Sequence, residues 1–268
     1  MNAIKTVLQE QFQNLYLIRR LSAYELKQAY ASNALGSLWI FLNPLIQVSL
    51  YWLVFGLGIR GGQPVQGIPY FVWMICGLIP WFFISAATGQ GSSSIYSRLN
   101  TVAKMNFPLS IIPTYVVSAQ LYTHGLLLIV LLGIVILSQG FSDINIFGLI
   151  YGVGSLTVFL VCLAFVTSTF STVLRDVHML VQSFMRMLFF VTPVLWEPKE
   201  NMPEFFLMII KLNPFYYIIE VYRSSLVYGD MSVLFSGYTL YFWTITIVLF
   251  VIGATMHIKF RKQFVDYL

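Results

Sequence analysis

Long apolar runs alternate along the chain with short polar connections, and run length gives them their meaning. An α-helix rises 1.5 Å per residue and a bilayer presents about 30 Å of hydrocarbon, so each crossing needs about 20 apolar residues. Six runs are long enough: 35–58, 70–95, 107–137, 147–172, 177–196 and 233–258. Pro44, Pro80, Pro113 and Pro193 fall inside them and are expected to kink the helices. A seventh stretch, 205–227, is broken by Asn213-Pro214 and carries Lys211, Glu220 and Arg223. Each of its halves spans only about 15 to 20 Å, too short to cross. Irregular backbone at membrane depth persists only where protein or water covers it, so a re-entrant helical hairpin is expected over about 203–228. Ahead of the first run, Ile4, Val7, Leu8, Phe12, Leu15 and Tyr16 recur at helical spacing opposite Lys5, Gln9, Glu10, Gln13 and Asn14. This pattern predicts an amphipathic helix lying on the inner leaflet, with Arg19, Arg20 and Lys27 drawn to anionic headgroups.

The pattern yields an all-α polytopic membrane fold. Residues 1–34 form an interfacial region and 35–268 a single transmembrane domain of six spans with an outer hairpin before the last. Composition agrees, with 58% hydrophobic and 9% charged residues. Aromatic residues make up 17%, and Trp and Tyr prefer the headgroup level.

The net charge of +5 comes from 15 Lys and Arg scattered between apolar runs, with no basic stripe to hold nucleic acid. Its distribution sets the orientation. Lys5, Arg19, Arg20, Lys27, Arg98, Lys104, Arg175, Lys259, Arg261 and Lys262 fall on one side of a six-span arrangement. Arg60, Lys199, Lys211 and Arg223 fall on the other, with Asp143, Glu197, Glu200, Glu204, Glu220 and Asp230. Cations concentrate on the cytoplasmic side, so both termini are expected inside.

Several chemistries are excluded by what is missing. The six run cores contain no Asp or Glu, which removes the usual means of proton or sodium coupling. There is no G-x-x-x-x-G-K-[ST] loop to cradle ATP phosphates. Cys76 and Cys162 lie in apolar runs, and His124, His178 and His257 have no ligand-spaced companions, so no metal, catalytic residue or resident cofactor is expected. A membrane-embedded transferase would need acidic motifs in an inner loop, where Asp176 stands alone. The G-x-x-x-G matches at Gly58 and Gly148 are weak dimerisation signals. If transport is active, the motor is another polypeptide. Two short inner connections could receive its push: 97–104, with Arg98, Asn100 and Lys104, and 172–177, with Arg175 and Asp176.

In this order, the motifs resemble the membrane permeases of polysaccharide and teichoic-acid ABC exporters. The matching stretches are Ile18-Arg19-Arg20, Glu25-Leu26-Lys27, Leu35-Gly36-Ser37-Leu38-Trp39 and Asn43-Pro44. Lys104-Met105-Asn106-Phe107-Pro108, Ile112-Pro113, Leu174-Arg175-Asp176-Val177 and Pro193-Val194-Leu195-Trp196 continue the series. Asn213-Pro214-Phe215-Tyr216-Tyr217 and Tyr222-Arg223 complete it over nearly the whole chain. The resemblance implies a homodimer bound to two separate ATPase subunits, which hold the ATP and Mg. It also implies that a polyprenyl-pyrophosphate-linked polymer passes between protomers, with Glu25, Lys27, Arg98, Asn100, Lys104, Arg175 and Asp176 at the motor contact. The tyrosine-rich 213–223 stretch favours the teichoic-acid branch, with capsule or O-antigen export and drug export as alternatives of the same architecture. A polymer needs a path that binds it weakly along its length, which aromatic faces provide by stacking on sugar C–H surfaces. Candidates are Trp39, Phe41, Tyr51 and Trp52 in run one, Trp73, Trp81 and Phe82 in run two, and Phe189 and Phe190 in run five.

Overall fold

The computed structural model describes residues 2–99, 107–141, 144–198, 202–261 and 264. Two helices come first, α1 (Asn2–Gln13) and α2 (Leu15–Ala31). A 3-10 turn at Gly36–Leu38 runs into α3 (Trp39–Tyr51), whose last part, Trp52–Ile59, widens to π geometry. There follow α4 (Tyr70–Ser93), α5 (Ile111–Gln139), α6 (Ile146–Val173) and α7 (Asp176–Val191). Then α8 (Glu204–Leu212), α9 (Pro214–Arg223) with a π turn at Ser224–Tyr228, and α10 (Gly237–Phe260) complete the chain. Among the described residues, five helices are long and apolar enough to cross a membrane: Gly36–Ile59, α4, α5, α6 and α10. The chain is an all-helical, polytopic membrane protein.

Two expectations are corrected. The run 177–196 is helical only to Val191, giving 16 residues and about 24 Å of axis. Pro193 ends it: a residue before proline is pushed out of the helical region, and Thr192 is extended at φ −75°, ψ 132°. The amphipathic pattern over 4–16 is not one helix either, because the chain turns at Asn14, whose side chain bonds the Glu10 carbonyl at 2.8 Å. Of its apolar stripe only Val7 is fully buried, near α6 and α10, while Phe12, Leu15 and Tyr16 stay exposed.

The break at Asn213-Pro214 falls where expected, and its local chemistry is complete. The Asn213 side chain caps α9 by accepting from the Phe215 N–H at 3.0 Å, and Pro214 takes the first helical turn, where no N–H is needed. The Asn213 amide also donates to Thr192 Oγ1 at 2.6 Å, tying the elbow to the end of α7. The two halves, Glu204–Leu212 and Pro214–Tyr228, stand at 85°. Gly229, at φ +62°, closes the second half in the left-handed conformation that glycine adopts freely.

The centre of the bundle is α4, packed against α5, α6, α7 and α9. Gly148 and Gly152 serve this packing within the chain. Cβ atoms there would meet Ser225 Oγ at 2.3 Å and Val221 and Tyr222 at 3.1 to 3.2 Å, so these glycines seat the elbow against α6. The elbow is secured to α4 by Arg223, a residue only 1% exposed. Its Nη1 and Nη2 donate to the carbonyls of Pro193 and Val194, each at 2.7 Å. Its guanidinium lies 3.4 Å from the Trp73 ring centroid, and Glu220 Oε1 stands 3.5 Å from Nη1. These carbonyls lie in the non-helical turn beyond α7, and they thus gain a charged donor. Gly77 makes room, since a Cβ there would sit 2.7 Å from Arg223 Nη2 and 3.1 Å from the Val194 carbonyl.

G77A is therefore expected to destabilise the detergent-solubilised protein by about 1–3 kcal/mol through overpacking. R223M, which orphans both carbonyls, should cost at least as much, on the order of 3 kcal/mol. Thermal unfolding followed by loss of the monodisperse chromatographic peak measures both, and a wild-type midpoint in both variants would contradict the clip.

Candidate functional site

At the bundle end that carries α1 and α2, the structure brings two of the expected coupling residues into contact. Glu25 on α2 is ion-paired with Arg98, which follows α4, and both side chains are about one-quarter exposed. Arg98 also donates to the Ser94 carbonyl at 3.3 Å and lies over the Tyr115 ring at 5.7 Å. Tyr115 is held in turn, because its carbonyl accepts from the buried Ser22 of α2 at 3.0 Å. From α1, Glu10 bonds Arg261 at 2.6 Å and Ser110, and Gln11 donates to the Ser110 carbonyl at 2.9 Å. The N-terminal helices are thereby fastened to the ends of α4, α5 and α10.

Arg175 and Asp176, both exposed, form the connection from α6 to α7 at the same end of the bundle. Two residues on, His178 Nδ1 is 2.7 Å from Ser92 Oγ on α4, and its Nε2 is 2.8 Å from the Gln182 amide. Both connections therefore converge on the last turns of α4. Lys27 is exposed on α2, and Asn100 and Lys104 lie outside the described residues.

Along α4 most side chains are buried; apart from Phe71 and Ser93 at its two ends, the half-buried or exposed residues are Phe82, Ser85, Ala86, Gly89 and Gln90. Their spacing of three and four residues makes them a stripe on one helix face. This face floors a groove that runs through three connected segments. The segment beside the Glu25–Arg98 pair is about 770 Å³ and reaches Gln90, Gln120 and Thr123. The middle segment, about 310 Å³, shares those three residues and adds Trp39, Asn43, Gln47, Phe82 and Ser85. The third, about 480 Å³, shares Gln47, Phe82 and Ser85 and continues to Tyr51, Trp81, Gln182, Arg186, Phe189 and Phe190. Each falls within the roughly 300–1,000 Å³ usual for ligand sites.

Six of the expected aromatic residues line this groove. Tyr51, Trp81, Phe189 and Phe190 form one patch, with ring centroids 5.3 Å apart for Tyr51–Phe189, 5.5 Å for Trp81–Phe189 and 5.2 Å for Phe189–Phe190. Trp39 and Phe82 line the middle segment. The other three lie elsewhere. Trp73 is buried beneath Arg223, Phe41 faces an apolar crevice between α3, α4 and α5, and Trp52 packs edge-on against Phe71.

Sequence reasoning missed the polar lining. Gln47, Gln90, Gln120 and Gln182 supply amides, with Gln120 donating to Gln90 at 2.8 Å. Arg186, the one cation of the 15 that the topological reading left unplaced, faces the same space. A signal was available, since Gln182 and Arg186 stand four apart inside an apolar run and therefore share a helix face.

The comparisons with known proteins agree with this architecture. The model of the family described as ABC-2 type transporter matches residues 16–227. A protein of Myxococcus xanthus named O-antigen export system permease protein RfbA is 29% identical over 221 residues, covering 81% of this chain and 83% of its own. A Klebsiella pneumoniae protein of the same name is 27% identical over 248 residues, covering 91% and 92%. A second Klebsiella pneumoniae protein of that name is 26% identical over 246 residues, covering 91% and 92%. These names point to polysaccharide export rather than specifically to teichoic acid. With a family model matching most of its length, from α2 through the elbow, this chain belongs to the ABC-2 type transporter family of membrane permeases.

Proposed function

We propose that this chain is the permease subunit of an ATP-driven exporter that moves a lipid-linked polysaccharide of the O-antigen kind across the bacterial cytoplasmic membrane. It acts as a homodimer with two ATPase subunits that bind ATP and Mg. The observation that carries this reading is the continuous groove along α4, in which aromatic faces alternate with side-chain amides. Such a wall suits a glycan, because rings stack on C–H surfaces while amides exchange hydrogen bonds with hydroxyls, and no single contact is strong enough to stall the polymer. The relatives named as O-antigen export permeases support the same choice. The tyrosines that favour teichoic acid give that branch little chemical support here, since Tyr217 and Tyr222 are buried in the packing of the elbow.

The ATPase contacts the end where Glu25, Lys27, Arg98, Arg175 and Asp176 lie. This end is cytoplasmic, as the excess of cations there supports, and the exposed Phe12, Leu15 and Tyr16 rest on the inner leaflet. Force entering through either short connection reaches α4, which floors the groove.

Export of polysaccharide into reconstituted vesicles containing both subunits tests the function directly. ATP-dependent uptake is expected with both present and none with either alone, and uptake without the ATPase would overturn the proposal. Orientation is read with a membrane-impermeant thiol reagent on intact cells, where Cys76 and Cys162 are buried and contribute little background. D230C should label at once and S32C only after permeabilisation, and the reverse pattern would invert the topology. For the coupling pair, R98E should lower export per ATP hydrolysed by roughly fivefold, equivalent to about 1 kcal/mol for a partly exposed pair. The swapped variant E25R/R98E should recover most of it. No recovery on swapping would mean that the pair does not act as a unit.

A further inference from the structure

We propose that Arg186, with Gln47 and Gln182, forms an anion site within the groove that takes the diphosphate of the polyprenyl carrier. The inference rests on the exporter reading above and deepens it by placing the carrier's charge.

Arg186 lies ten residues beyond Asp176, about 15 Å along α7 and thus deep in the bilayer for a helix starting at its surface. A charge at that depth is costly and persists where it faces an aqueous cavity or a partner. Among the described residues its one hydrogen bond is weak for a guanidinium: Nη2 donates to Ser183 Oγ, one turn back, at 3.1 Å. None of the ion pairs among the described residues includes it. Among the described residues, the membrane-crossing helices of a second copy offer it no carboxylate either. No Asp or Glu occurs in the long helices α3, α4, α5, α6 or α10, Asp176 stands at the first residue of α7, and Glu220 is committed to Arg223. The donors of Arg186 are therefore left for a transient occupant.

The surroundings specify that occupant. Arg186 opens into the groove segment of about 480 Å³, with Gln182 one turn below it and Gln47 across on α3. A guanidinium presents a planar fork that matches two phosphoryl oxygens, and the flanking amides can donate to the remaining ones. Tyr51, Phe189 and Phe190 line the same segment as these donors, offering a polyprenyl chain apolar contact beside its charged head. An anionic phospholipid carries the same phosphoryl chemistry, but its headgroup resides at the membrane surface. A carrier being moved from one leaflet to the other must bring its diphosphate through mid-depth. The same site would hold a neutral glycan less firmly, since a sugar gives a guanidinium no anion to pair with.

The test uses the complete complex with its ATPase in nanodiscs of phosphatidylcholine. The reading is the concentration of polyprenyl diphosphate that half-maximally changes ATP hydrolysis, with uncharged polyprenol as the comparison probe. R186Q should raise that concentration about tenfold, equivalent to roughly 1.4 kcal/mol, and R186K by less, while the response to polyprenol stays unchanged and shows the fold intact. An unchanged diphosphate response in R186Q overturns the site and leaves the exporter reading standing. A loss that affects polyprenol equally marks Arg186 as structural and overturns the site as well. If phosphatidylglycerol added to the nanodiscs reproduces the arginine-dependent response without the carrier, the site is one for membrane headgroups and the assignment falls. A wild-type complex that responds to neither carrier probe, yet exports polymer that bears no lipid, removes the lipid-linked substrate from the exporter reading itself.

Discussion

A buried guanidinium holds the architecture together. Where α7 stops at Val191, the chain must pass through the packed region without helical hydrogen bonds, and bare carbonyls there would cost several kcal/mol each. Arg223 answers two of them from an elbow that is itself capped by Asn213 and tied back to Thr192. The same group stacks on Trp73 and fills the space left by Gly77, so one side chain joins α4, the turn after α7 and α9. Because α7 is short and secured there, it stands against α4 as one wall of the groove, opposite the lightly packed α3. The groove is thus a consequence of how the end of α7 is satisfied.

From this arrangement the transport reading gains a mechanical logic. Near its far end α4 is clasped by Arg223, and at its other end Ser92 meets His178 while Arg98 reaches Glu25. The stripe that floors the groove lies between these attachments. A displacement of α2 or of the connection before α7 therefore acts on the helix that forms the floor of the groove, not on a remote element. The interior of α4 is close-packed, so it transmits such a displacement with little internal give.

Much of the fold was legible because its signals are local. Five long helices follow from apolar run length, and the elbow from Asn213-Pro214, whose capping chemistry needs only adjacent residues. The early end of α7 was written in Pro193, but the apolar residues beyond it, Val194 and Leu195, continue the run and conceal the turn. Pairings across the chain were not legible. Glu25 and Arg98 are 73 residues apart, and nothing near Arg223 in sequence indicates Trp73 or the Pro193 carbonyl as its partners. The aromatic wall was legible in part, since residue type suggests a sugar-binding surface while helix rotation decides which rings reach it. Trp73 and Trp81 lie on the same helix, yet one sits beneath the Arg223 guanidinium and the other in the groove. Arg186 was open to discovery from the chain alone, as a cation within an apolar run.

The central claim is that substrate travels along the exposed stripe of α4. Ser85 lies in the middle of that stripe, is exposed, and shares in neither the core nor the Arg223 clip. The direct measurement is polysaccharide export and ATP hydrolysis in reconstituted vesicles carrying S85C, before and after modification with a bulky maleimide. The account predicts that modification abolishes export while hydrolysis continues. Wild-type export from fully modified protein would show that the polymer takes another route.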